Sequence, residues 1–188
     1  MTIHQLQVSY VMEQDRILVR WNTHAGEELR LWLTRRMVKN LFPHMLEATT
    51  QLVTDQSQLA SHDGADGRAL TQFKKQESLQ QADFSTPFDS SAAVLPLGNA
   101  PLLATTVQMT PGQGGALRIR FEEHLPGVEG VRSFEVTLRQ DLLHGFVHLL
   151  EIALQNADWG MTMTGVGVPE DASVTDAFAN AEPPRYLN

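Results

Sequence analysis

The feature that most constrains this fold is a change of hydrophobic period that occurs twice, in the same order. Residues 4–12 alternate, with Leu6, Val8, Tyr10 and Met12 on one face and Gln5, Gln7 and Ser9 on the other. A period of two is that of a half-buried strand. Residues 16–22 continue the pattern, with Ile17, Val19 and Trp21 inward and Arg16, Arg20 and Asn22 outward. Residues 28–33 place Leu29, Leu31 and Leu33 against Glu28, Arg30 and Trp32. Polar turns at 13–15 and 24–27 join these strands into an antiparallel meander, and Gly26 can supply a positive φ. The period then lengthens. Met37, Val38, Leu41, Phe42, Met45, Leu46, Leu52 and Val53 fall on one arc of a helix. Thr34 suits the N-cap, and Pro43 predicts a kink or a split near Phe42.

The same order returns after residue 101. A strand over 102–110 carries Leu103, Thr105, Val107 and Met109 on one face, and a second over 116–122 carries Leu117, Ile119 and Phe121. A third presents Phe134, Val136 and Leu138, and a helix over about 140–157 follows, with Leu142, Leu143, Phe146, Val147, Leu149, Leu150 and Ala153 on one side. An offset of 105 maps Leu29, Leu31 and Leu33 onto Phe134, Val136 and Leu138, and Met37, Val38, Leu41, Phe42 and Met45 onto Leu142, Leu143, Phe146, Val147 and Leu150. The expected fold is therefore α+β, two pseudo-repeated β-β-β-α units with helices packed on one face of antiparallel sheet. The units span 1–58 and 102–158. Between them, 59–101 is a connecting region with loop chemistry at Ser61–Gly67, a polar helix over 68–82 and an irregular proline-containing crossing over 85–101. Residues 159–188 read as a loosely packed or disordered tail.

Composition excludes several classes of function. There is no cysteine, so disulfides, thiol catalysis and Cys-ligated metal centres are absent. No apolar run is long enough to cross a bilayer and no signal peptide is visible, which points to the cytoplasm. The net charge is -8. Residues 1–56 hold six Lys/Arg and six Asp/Glu, so the remaining eight and sixteen carry all of the excess. That balance argues against general nucleic-acid binding and leaves room for a local anion contact.

The sharpest local pattern lies on the second helix. His144 and His148 stand at i and i+4, with Asp141 and Glu151 on the same side, a set that could ligate one metal ion. The competing reading is the solvated face of a surface helix, and Gly145 stands where the His-Glu-x-x-His motif places its glutamate. Gly112–Gly115 lies between two strands, which suits a hairpin turn rather than a phosphate loop. Arg35 and Arg36 occupy the first helical turn, where the macrodipole disfavours cations. With Arg20, Arg30, Trp32, Arg118 and Arg120 they form the candidate interaction residues, since Arg and Trp anchor interfaces.

The strings Asp-Arg-Ile-Leu-Val-Arg (15–20) and Leu-Trp-Leu-Thr-Arg-Arg (31–36) resemble an uncharacterised family of bacterial proteins, over residues 15–50. The resemblance implies a bacterial source and no activity.

These observations favour a non-enzymatic protein-interaction or assembly module with no cofactor. It is expected to form a homodimer through the uncharged edge strands 4–12 and 102–110, with a further protein partner allowed. The alternative is a metal-binding protein or metal-dependent enzyme using the His144/His148 face.

Overall fold

The computed structural model describes residues 3–56, 64–83, 86–91 and 94–160; the side chains of 54–56 and 64–71 lie outside the description. The chain is α+β. Strands β1 (Ile3–Val11), β2 (Arg16–Thr23) and β3 (Glu28–Thr34) lead into helix α1 (Arg35–Gln56) and helix α2 (Gly64–Gln81). Strands β4 (Leu102–Leu103), β5 (Thr106–Pro111), β6 (Leu117–Glu123) and β7 (Arg132–Leu138) lead into helix α3 (Gln140–Ala157).

Two sheets result, one in the order β1-β2-β3-β4 and one in the order β5-β6-β7. The stretch expected as one strand over 102–110 is divided. Leu102 and Leu103 pair in parallel with Leu31 and Trp32, and Thr106–Pro111 pairs antiparallel with β6. Ala104 N–H still donates to the Trp32 carbonyl and Thr105 N–H already donates to the Glu122 carbonyl. The switch between sheets therefore leaves neither N–H unpaired.

Parity puts the expected residues inside. Ile17, Val19, Trp21, Leu31 and Leu33 share one core with Ile119, Phe121, Val136 and Leu138, and the helices close it with Val38, Met45, Leu143, Phe146 and Leu150. Trp21 is central, with ring centroids 5.7, 5.5 and 5.8 Å from Phe121, Phe134 and Phe146. The two meanders agree in register. Trp21 faces Leu29 across β2 and β3 as Phe121 faces Phe134 across β6 and β7, and Ile17 faces Leu33 as Leu117 faces Leu138. The helices are placed differently: α1 packs on β3, while α3 packs on β1 of the first unit as well as on β7.

Three further expectations are refined. Of the kink or split expected at Pro43, the split does not occur, and α1 runs unbroken past it. Pro43 and Lys39 are both exposed, so the Lys39 carbonyl that lacks its i+4 donor sits on the solvent side. Gly64–Gly67, expected as loop, belongs to α2, while 61–63 lie outside the described residues. Trp159, assigned to the loose tail, is buried. Its indole N–H donates to Asp15 Oδ1 at 2.6 Å, its carbonyl accepts from Arg35, and Tyr10 packs edge-on against it. Asp15 is held in the left-handed region, φ 48°, and the bonds from Trp159 and Tyr10 keep its carboxyl below the usual carboxylate range. The tail expectation for 161–188 falls outside the described residues.

Pro43 is the clearest local misfit to its element. Pro43→Ala is expected to stabilise the protein by about 1–3 kcal/mol, because it restores a helical donor in an exposed interior turn. Urea denaturation of the two chains measures this.

Candidate functional site

The outward face of β1–β3 was expected to present Arg20, Arg30 and Trp32 to a partner. Instead it carries part of the connecting region. Glu28 N–H donates to the Val94 carbonyl, and Val94 N–H returns a bond to Gly26. Asn22 donates to the Asp89 carbonyl, Gln5 donates to the Pro87 carbonyl at 3.3 Å, and Asp89 N–H donates to Gln5. Residues 86–91 therefore lie over the sheet as a strap.

Beneath it, Glu28 is clamped by two arginines. Its Oε1 lies 2.6 Å from Arg20 Nε and 2.7 Å from Arg30 Nε, and its side chain is fully buried. Arg20 and Arg30 are direct cross-strand neighbours, a like-charge placement that is unfavourable by itself. The carboxylate between them removes that repulsion. Burial pushes the Glu28 pKa up, but the hydrogen bonds and charges of Arg20 and Arg30 outweigh it and hold the group ionised below the usual carboxylate value. Arg20 also donates to Gln7 and Ser90, and its guanidinium stacks 4.4 Å from the Phe88 ring centroid. Arg20 and Arg30 are thus engaged within the chain.

The remaining interaction candidates are scattered. Trp32 is half-buried between Leu18 on β2 and Leu103 on β4. Arg35 donates to the Trp159 carbonyl, and Arg36 is exposed. Arg118 pairs with Glu135 and Arg120 with Glu122 on the exposed outer face of the second sheet. A clamp that the sequence did not reveal closes the far end of the connecting region. Glu123 accepts from Leu103 N–H and Arg132, and Arg132 reaches the carbonyls of Leu97 and Ala100.

The α3 stripe is likewise only partly solvated. Helix α2 lies over it. His144 is fully buried, with Nδ1 3.1 Å from Ser78 Oγ. Lys75 binds Glu151 at 2.7 Å, and His148 lies 3.8 Å from the same carboxylate. Asp141 is exposed at the N-terminus of α3. The four side chains do not converge, and no group of three or more potential ligands among the described residues could hold a metal ion.

A groove of roughly 800 Å³ opens along the outer side of β1. Consecutive residues His4–Val8 line it, so both faces of the strand contribute and its edge forms the floor. Pro87 and Phe88 of the strap form one wall, and Leu142, Gly145 and Leu149 of α3 form the other. Residue pattern had marked β1 as an open edge but could not show its walls, because they come from segments with weak or different periodicity. The other uncharged edge, β5, pairs among the described residues only with β6. The two candidate edge strands do not pair with each other.

No described helix is long and apolar enough to cross a membrane. Comparison with known proteins finds no matching family, no matching curated protein and no matching solved structure.

Two outcomes follow from the buried ionisable groups. Glu28→Gln should cost about 2–4 kcal/mol in urea denaturation, since removing one partner of a buried pair leaves the others uncompensated and the two arginines retain some solvent. For His144, desolvation lowers the pKa below 6.5, with the Lys75 charge adding to this and the Lys74 backbone and Asp141 opposing it. The unfolded chain therefore binds a proton before the native one does. Stability is full above pH 6.5 and falls as pH drops through 6.5 toward the lowered native value, by at most about 1.4 kcal/mol per pH unit. Denaturation curves at about pH 7.5 and 5.5 should differ, and His144→Gln should shrink the difference.

Proposed function

We propose that the chain is a non-enzymatic assembly module that forms a twofold dimer by pairing β5 with β5 of a second copy. The observation that supports this is the β5 edge. Among the described residues it has a strand partner on one side only, and Thr106–Pro111 contains no charged residue. Native sheets usually guard such edges with lysine, a bulge or a cover. Pro111 stands at the end of the strand, where it does not interrupt the ladder. Antiparallel pairing about a twofold axis satisfies the outward N–H and C=O groups of both copies. β1, the other candidate, is less suited to a sheet-to-sheet contact because α3 and the strap wall its edge.

The metal-binding alternative at Asp141, His144, His148 and Glu151 has no comparable support, since Ser78 and Lys75 occupy His144 and Glu151. The matched registers of the two meanders support an origin by duplication, and the absence of a membrane-crossing helix among the described residues is compatible with a cytoplasmic location. The resemblance of residues 15–50 to uncharacterised bacterial proteins adds no activity to this reading.

Light scattering at tens of micromolar should give twice the chain mass of 20.9 kDa. Thr106→Lys or Gln108→Lys should weaken the dimer by about tenfold or more, by placing like charges across the axis, with circular dichroism unchanged. A strictly monomeric native chain, or a dimer untouched by both folded variants, would overturn the proposal.

A further inference from the structure

We infer that the groove along β1 is a second binding site, which takes one extended segment of a partner protein bearing lysine or arginine and adds it as a strand to the first sheet. This rests on the interaction-module reading but not on the dimer, since β5 lies in the other sheet.

The floor of the groove supplies the first argument. Among the described residues β1 is hydrogen-bonded to β2 on one side only. On the other side alternate N–H and C=O groups point into the groove, and an extended peptide is the ligand that matches a row of alternating donors and acceptors at strand spacing. From His4 to Val8 the floor runs about 14 Å at 3.4 Å per residue, which accommodates four to five peptide residues.

The walls supply the second. Phe88 on one side and Leu142 and Leu149 on the other give apolar contact to the two faces of an incoming strand. They also stand on either side of the strand edge, which favours a single segment over a whole sheet edge of a second copy.

Charge supplies the third. Among the described residues, Asp83 and Asp141 line the groove and no lysine or arginine does; Asp83 accepts from Thr86 with both oxygens, so the exposed Asp141 is the main acidic contact. The site therefore favours cationic side chains and disfavours acidic ones. Asp141 is exposed and enters none of the ion pairs formed by its helix neighbours His148 and Glu151.

Gly145 makes the groove testable. A Cβ placed there meets nothing within 4 Å, and its φ is not positive. Gly145 lines the groove, so a side chain begun there has open space at its Cβ, and any residue other than proline is a better helix former than glycine. Gly145→Leu should fill the site while leaving the fold intact or firmer.

The probe is an acetylated, amidated pentapeptide of alternating valine and lysine, titrated into the full-length protein and followed by amide NMR. Saturable shifts are expected at residues 4–8 and 142–149. Binding should weaken about tenfold or more for the matching valine–glutamate peptide and in Gly145→Leu, and should weaken measurably in Asp141→Asn. Asp141 is exposed and the change is isosteric, so this variant separates charge from blockage. The proposal is overturned by the absence of saturable shifts, by equal binding of the acidic peptide, or by binding that survives Gly145→Leu. Shifts at residues 4–8 that depend on protein concentration alone would assign the groove to a second copy and overturn it equally. Light scattering of Gly145→Leu should match the native chain, so failure here is distinguishable from failure of the β5 dimer.

Discussion

Trp21 joins the two halves of the molecule. Its ring lies on β2 but meets Phe121, Phe134 and Phe146, which belong to both other layers of the core. Burying a side chain of that size, roughly 150–250 Å², contributes about 4–6 kcal/mol at 25 cal/mol per Å². The indole N–H finds no hydrogen-bond acceptor among the described residues, which costs about 1–3 kcal/mol. The apolar contact outweighs the lost bond, so a tryptophan is favoured here although its nitrogen is stranded. Around that contact the two meanders and the helices share one continuous apolar core.

The buried carboxylate clamps extend the same logic to the connecting region. Glu28 with Arg20 and Arg30 holds the strap to the first sheet, and Glu123 with Arg132 holds residues 97–103 between the sheets. These charges are buried because a segment lacking an apolar face of its own lies over them, held by polar contacts. The strap in turn forms a wall of the β1 groove. The fold's electrostatics and its candidate binding surface are therefore one construction.

The alternation of Ile17, Val19 and Trp21 and of Leu117, Ile119 and Phe121 was enough to assign the inner faces, and the arc around Phe146 gave α3 its limits. Parity says which residues point away from the core but not what lies over them. Glu28, Arg20 and His144 were read as solvent-facing for that reason. Their burial depends on where 64–101 runs, and that region carries too few apolar residues to announce its path. Trp159 was hidden differently: a single anchoring aromatic has no period. The groove was half legible, since the bare edge of β1 shows in its lack of charge while its walls are supplied by residues 80 to 140 positions away.

The parallel pairing of Leu31 with Leu102 also sets an order of events during synthesis. The outer edge of β3 is completed only after on the order of 70 further residues have been made, which takes roughly 4–14 s at 5–20 residues per second. Throughout that interval the first meander can form, since its contacts are local, but β3 stands with one side of its ladder open. Nascent chains on neighbouring ribosomes would present the same unpaired strand to one another. Arg30, and Trp32 beside it, stand on that strand, and the charge gives it the protection against premature pairing that β5 lacks.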